Sequence, residues 1–334
     1  MYVYAGIDEA GYGPLFGPLM VGRAVFAVPR LVRGDVANPP PHLWQRLSKA
    51  VCRNLAQRKG RIAVNDSKKL MTAAAGIGHL EVGCLAFAAL AGHRPQTLDQ
   101  WLTCLGEQSH GQLDALPWYA PTADRPWNRL PAVVSDGEIA VARSLLASTA
   151  KRIGVQVLDI GAAAVLEDRF NRMVAATRSK AATSFTFVAS HLRHVWDQFG
   201  QHDPLAIVDR QGGRTQYRKP LMDAFPEASL TILDESPECS SYRLTCIENG
   251  QRKAMTIRFQ VQAEQAHMPV ALASMISKYT RELLMARFNA YFQSHLPDLA
   301  PTAGYATDAK RFWDDLQPHL PTLGIDGRHI RRMA

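Results

Sequence analysis

The chain has 334 residues, 47% of them hydrophobic and 20% charged, which is enough apolar material for a full core and excludes wholesale disorder. Lys and Arg outnumber Asp and Glu by 38 to 30, giving a net charge of +8, a surplus that favours polyanion partners. No run of about 18 apolar residues, no basic-then-apolar leader and no CxxC pair occurs, so a membrane span, a secretory signal and a structural zinc are not expected.

The first strand is predicted at Tyr2 to Ile7, followed by a Gly/Pro-rich turn from Gly11 to Pro18 and a second strand from Leu19 to Val28. Leu43, Leu47, Val51 and Leu55 recur at helical spacing and predict an amphipathic helix over 41–58. A short strand at Arg61 to Val64 runs into Asn65-Asp66-Ser67-Lys68-Lys69-Leu70. Residues 71–130 carry Gly, Pro, His and the tryptophans Trp101, Trp118 and Trp127 with poor periodicity. They read as an inserted, partly helical subdomain or a set of packed loops, an appendage beside the core that adds no strand to its sheet. A helix is expected from Glu138 to Ile153, a strand in Val155 to Val165, and helices from Leu166 to about Gly200. Leu205 to Val208 is a short continuous apolar run ending at Asp209, the pattern of a strand buried on both faces. A strand is also expected at Ser229 to Leu233. Asn249-Gly250 lies between the strand-like runs Tyr242 to Ile247 and Lys253 to Val261, a strong hairpin signal. Residues 268–292 read as a long helix, and 293–334 as a helical, basic tail. Strands first, then strands alternating with helices, favour an α/β fold with a mixed sheet. Cys52, Cys84, Cys104, Cys239 and Cys246 are widely spaced and are expected to be reduced thiols of a cytoplasmic protein.

Several acids stand where chemistry collects. Asp8 and Glu9 end an apolar strand just before the glycine turn, where a divalent cation with oxygen ligands would relieve their repulsion; simple solvation is the other reading. Asp209 ends the buried run, at the carboxyl end of a strand, where capping the next helix is an equal alternative. Glu264, taken alone, is a helix N-terminal charge favoured by the dipole.

Gly6-Ile7-Asp8-Glu9-Ala10-Gly11-Tyr12-Gly13-Pro14 through Gly17-Pro18 resembles the opening signature of type 2 ribonuclease H, G-x-D-E-A-G-R-G-P-x-x-G-P. Asp66-Ser67-Lys68-Lys69-Leu70 is similar to that family's D-S-K-K-L. Asp209 sits at its third acidic position. Glu264 and the run Val270 to Lys278 resemble its fourth acid and following helix, Gly304-Tyr305-Ala306-Thr307 its G-Y-G-T, and His329-Ile330-Arg331-Arg332, loosely, its H-R-R. These matches run in order over most of the chain, leaving out 71–130. Departures are Tyr12 for Arg, Glu264 for the usual Asp, Ala306 for Gly, and Lys310 for a His.

The resemblance implies a ribonuclease H-like α/β fold and a monomeric endonuclease that cuts the RNA strand of RNA–DNA hybrids or ribonucleotides embedded in duplex DNA. It implies Asp8, Glu9, Asp209 and Glu264 as ligands of two Mg²⁺ or Mn²⁺ ions. Gly11, Tyr12 and Gly13 would approach the ribonucleotide through backbone N–H groups. Ser67, Lys68, Lys69 and Lys278 would contact the nucleic acid, and Tyr305 would stack on a sugar. Two other readings stay open: a nuclease of this fold for another structured nucleic acid, and a binding protein that has lost turnover.

Overall fold

The computed structural model describes residues 1–29, 41–106, 113, 115–121, 128–210 and 214–333; Trp127 and the Gln211-Gly212-Gly213 stretch lie outside the described residues. Its strands are β1 (Tyr2–Ala10), β2 (Leu19–Val28), β3 (Val51–Cys52), β4 (Ile62–Ala63), β5 (Gln156–Val165), β6 (Leu205–Asp209), β7 (Ser229–Glu235), β8 (Cys239–Glu248) and β9 (Gln251–Gln260). Seven of them form one mixed sheet in the order β5-β2-β1-β6-β9-β8-β7. β2 runs antiparallel to β1 and β5 antiparallel to β2, whereas β6 is parallel to β1 and β9 parallel to β6. Three antiparallel strands followed by two parallel ones, with helices on both faces, is the ribonuclease H-like arrangement. The β8–β9 hairpin turns at Asn249-Gly250, both with positive φ (50° and 75°), as the Asn-Gly pair predicts.

Alternation along β1 divides the core in two. Val3, Ala5 and Ile7 point to one face, against Phe187, Val188, Leu192 and Trp196 of the helix Lys180–Phe199. Tyr4 points to the other face, toward the helix Met268–His295. Gly6 shares that second face. A Cβ there would collide with the Pro269 carbonyl carbon and the Val270 nitrogen, and one on Gly22 would sit 2.6 Å from the Ala273 carbonyl oxygen. Gly22 pairs with Asp8 across the β1–β2 ladder. Two glycines thus let the long helix lie directly on β1, which carries Asp8 and Glu9, and on its partner β2.

Two expectations need correction. The helix predicted over 41–58 is one turn, Leu43–Arg46. Leu43, Leu47 and Val51 are all buried, but Trp44 donates through Nε1 to the Val64 carbonyl at 2.8 Å, and Val51-Cys52 pairs with Ile62-Ala63 in a small parallel sheet. A turn followed by a strand produced helical spacing by coincidence. The segment 71–130, where described, adds no strand to the main sheet, but it is no appendage. Its helix Gly78–Leu90 is buried from Leu80 to Ala88 and joins the core cluster built on the long helix. Buried Glu81 accepts from the Ala132, Val133 and Val134 amides (2.6, 2.9 and 2.9 Å) and from the Tyr279 hydroxyl at 2.7 Å. Trp101 is fully buried and donates to Thr280 Oγ1 at 2.9 Å. The expected helical content is present, but the helix is apolar all round, the mark of a segment packed into the core.

Candidate active site

The four acids converge at the carboxyl ends of β1 and β6 and just beyond β9. The parallel register pairs Ile7 with Val208, so Asp8 and Asp209 follow side by side. The chain leaves β9 through Gln262, which adopts a left-handed conformation (φ 53°), into the short turn of helix Ala263–Ala266. There the Ala263 amide donates to Asp209 Oδ1 at 2.8 Å, and the Glu264 carboxyl comes within hydrogen-bonding reach of Asp209. Burial pushes Asp8 well above the ordinary carboxylate range, and the charges of Asp209 and Glu9 push it further; a hydrogen bond from Ser274 and the Glu9 amide, 2.7 Å from Oδ1, oppose this. Burial likewise pushes Asp209 up to about 7, with Glu264 and Glu9 adding to it and the Ala263 amide opposing it. Asp8 and Asp209 thus each lie within the field of neighbouring carboxylates, where burial makes it costly for like charges to ionise together.

The donor set is all oxygen, which suits a hard divalent cation. Among the described residues no three His, Cys, Asp or Glu side chains already stand as a metal cage; the acids meet pairwise, and Asp209 is the common member.

The long helix supports this corner. Ser277 Oγ donates to the Asp8 carbonyl at 3.1 Å, and Ser274, which bonds the Asp8 carboxylate, meets Ser67 Oγ at 3.1 Å. Ser67 is buried, so it reaches Asp8 through Ser274 instead of facing a substrate. Lys68 and Lys69, beside it, are exposed and form no ion pair among the described residues. Lys278 is engaged: its Nζ lies 2.6 Å from Glu282 Oε1.

The glycine turn and Tyr305 are built together. Gly11 has φ 84°, and a Cβ on it would stand 2.5 Å from Arg281 Nε; Gly13 is exposed, with open space around it. Leu15 N donates to the Gly304 carbonyl at 2.8 Å. Arg281, fully buried, donates from Nη2 to the carbonyls of Phe16 (2.8 Å) and Ala303 (3.2 Å), and its guanidinium carbon lies 5.3 Å from the centre of the half-exposed Tyr305 ring. Arg332, also buried, donates from Nη2 to the Gly11 carbonyl at 2.6 Å. Ser274, Ser277 and Arg281 were not singled out from sequence as site residues; their signal is a polar stripe at spacings of three and four in an otherwise apolar helix. Tyr12 is half-buried against the aromatic cluster on the opposite face of the sheet.

No family model and no curated protein matches the chain. Solved structures do. The chain is similar to ribonuclease HII of Archaeoglobus fulgidus, solved as a complex with PCNA, at 15% identity over 99% of this chain and 94% of that one, TM-score 0.40. It is similar to ribonuclease H2 of Pyrococcus horikoshii at 16% identity over 98% and 92%, TM-score 0.42. It is similar to Bst-RNase HIII, solved with Mn²⁺, at 13% identity over 99% and 66%, TM-score 0.42. These likenesses are distant, and the fold assignment stands on the strand order of the chain itself. Among the described residues no helix is long and apolar enough to cross a membrane.

Proposed function

We propose that the chain is a metal-dependent endonuclease that hydrolyses the RNA strand of RNA–DNA hybrids or ribonucleotides embedded in duplex DNA. The observation that carries this reading is the set of Asp8, Glu9, Asp209 and Glu264 at neighbouring strand ends, partly buried, with like charges and burial together raising Asp8 and Asp209. Asp8, Asp209, Glu9 and Glu264 would hold Mg²⁺ or Mn²⁺, which supplies an activated water and charge neutralisation at the phosphate. Ser274 holds the Asp8 carboxylate and Ser277 its main-chain carbonyl, and the Ala263 amide holds Asp209, so these two acids are oriented by the framework. Exposed Lys68 and Lys69 suit phosphate contacts that set the duplex in register. The open Gly13 backbone leaves its amide accessible for a 2′-hydroxyl, and Tyr305, half-exposed at the same turn, offers a ring to the sugar.

Three matched duplexes test the reading: all DNA, DNA with one ribonucleotide, and an RNA–DNA hybrid, each with Mg²⁺ or Mn²⁺. Cleavage of the two ribonucleotide-bearing duplexes alone is expected. The Tyr12 departure favours a second reading, a nuclease of this fold for another structured nucleic acid, and equal cutting of the all-DNA duplex would establish it. Binding of all three without cleavage under any metal would leave the non-catalytic reading.

A further inference from the structure

Two arginines follow Asp209, and they have different fates. Arg210 is consumed by the framework: its amide donates to the Gln260 carbonyl at 2.9 Å, and Nη2 donates to the Ser236 carbonyl (3.1 Å) and Ser240 Oγ (2.7 Å). Arg214 forms no ion pair among the described residues and is half-buried. Its guanidinium carbon lies 5.6 Å from the centre of the Phe185 ring and 5.8 Å from that of Tyr217. Those rings are a fixed floor. Tyr217 stacks parallel on Phe259 at 3.6 Å, its amide donates to the Tyr242 hydroxyl at 2.8 Å, and Phe185 packs on both Tyr217 and Phe259. A guanidinium lying on aromatic faces keeps its N–H edge for other partners while losing little further rotamer freedom on binding.

The same cluster carries Tyr12. The Tyr12 phenol is raised by burial and by Glu9 and lowered by the charge of Arg214, so this cation acts on the side chain of the turn itself. The resembled signature has an Arg in that turn, where this chain has Tyr12. We propose that Arg214 is a substrate-binding residue that grips a backbone phosphate of the nucleic acid next to the Gly11–Gly13 turn, replacing from the adjoining aromatic cluster the guanidinium that the turn lacks. The inference rests on the nuclease reading and extends it. A guanidinium matches the two oxygens of a phosphate, and a cation with no counter-ion among the described residues keeps its charge for a polyanion. Lysine at this place would keep the charge but lose the fork and the flat stacking on Phe185 and Tyr217.

The test measures binding of a labelled RNA–DNA hybrid by fluorescence anisotropy with metal chelated, so that nothing is cut, across a series of KCl concentrations. The proteins are wild type, Arg214→Ala, Arg214→Gln, Arg214→Lys, Tyr12→Arg and the double variant Tyr12→Arg/Arg214→Ala. Arg214→Ala is expected to weaken binding about tenfold at 0.1 M salt and to lower the log–log salt slope by about 0.9, the loss of one phosphate contact. Arg214→Gln keeps the stem over the rings and should lose the same slope, so the answer survives if the alanine variant folds poorly. Arg214→Lys should keep the slope but bind about threefold more weakly, by loss of part of the fork's interaction. The double variant should recover most of the affinity lost in Arg214→Ala, because the guanidinium returns to the turn. An unchanged slope in both Arg214→Ala and Arg214→Gln overturns the proposal, and so does a double variant no better than Arg214→Ala. If wild type itself binds no hybrid, the nuclease reading fails. That result is distinct from wild-type binding to which Arg214 contributes nothing.

Discussion

At the scale of single residues, the acids show a conflict between stability and function. Asp209 is held at about 7 by burial and by its neighbours, and without a cation its carboxylate repels Glu9 and Glu264. Asn at that position keeps an oxygen for the Ala263 amide and removes the charge. Asp209→Asn is therefore expected to raise the melting temperature in chelator by a few degrees, on the order of 1 kcal/mol, while lowering cleavage at least about a thousandfold. Adding Mn²⁺ should raise the wild-type midpoint and leave that of the variant nearly unmoved, because only a state that binds the ion is stabilised by it. Thermal melts with and without Mn²⁺, beside a cleavage assay, check all of this; equal Mn²⁺ shifts for the two proteins would argue against Asp209 as a ligand. Ala306 makes a second case. It adopts φ 37°, a left-handed conformation that costs an alanine roughly 1–2 kcal/mol, at the position where the resembled signature carries glycine. Ala306→Gly should raise stability by about 1 kcal/mol after the glycine's extra unfolded-state entropy is subtracted, as read from chemical denaturation.

Among the elements, the long helix sets both the core and the site. Its contact with the sheet depends on Gly22, where a methyl group would meet Ser277 Oγ at 2.5 Å and the Ala273 carbonyl at 2.6 Å. Gly22→Ala must lift the helix, and Ser277 with it, off Asp8. It should cost roughly 3 kcal/mol or more and reduce cleavage beyond what the loss of folded protein explains, seen by comparing activity per folded molecule with the denaturation midpoint. The helix Gly78–Leu90 belongs to the same body. Removing residues 71–130 would expose the flank of the long helix and leave Tyr279 and Thr280 without Glu81 and Trp101, so the truncated chain is expected to lose its cooperative melt. A sharp transition in that truncation would show the segment to be dispensable. The strands at 19–28, 156–165 and 205–209 were legible in sequence because each is a short apolar run bounded by turn residues, and the hairpin because Asn249-Gly250 permits only a tight turn. The acids were legible through the order of the motifs. The support beneath them was not: nothing local to Ser67 says that it points inward to Ser274, because that contact joins residues 207 positions apart. The 41–58 helix failed for the same reason, since the partner that turned its second half into a strand lies at 62–63.

Across the whole molecule, acid stability is set by a buried charge cluster on β2, whose Val21 pairs with Glu9. His191 projects from the helix Lys180–Phe199 onto β2, among Arg23, Asp159 and His194. Arg23 Nη1 donates to its Nδ1 at 2.9 Å, so its Nε2–H donates to the Val21 carbonyl at 2.8 Å; a proton on Nδ1 would break the first bond. Burial, and then the Arg23 charge, lower its pKa from 6.5 to about 3. A group depressed in this way binds fewer protons folded than unfolded between those two values. Its contribution is complete above about pH 6.5 and falls away as pH drops toward 3, by roughly 3 kcal/mol between pH 6.5 and 4 at about 1.4 kcal/mol per unit. His191→Gln should flatten that acid limb, at a cost of about 1 kcal/mol near neutrality; an unaltered pH profile of the denaturation midpoint would show that other groups set it.

The bond from Arg332 to the Gly11 carbonyl spans 321 positions of sequence, and the Arg332 amide ties in turn to Leu15 at 2.8 Å. A chain emerging from the ribosome can pair β1 with β2 early, since they are neighbours, but its glycine turn waits for a residue made hundreds of steps later. Contacts this distant in sequence close last in folding. A nascent chain released before residue 332 could hold its acids in place and still lack the finished loop on which the proposed choice of substrate depends, so the competence to discriminate would be acquired after the sheet is formed.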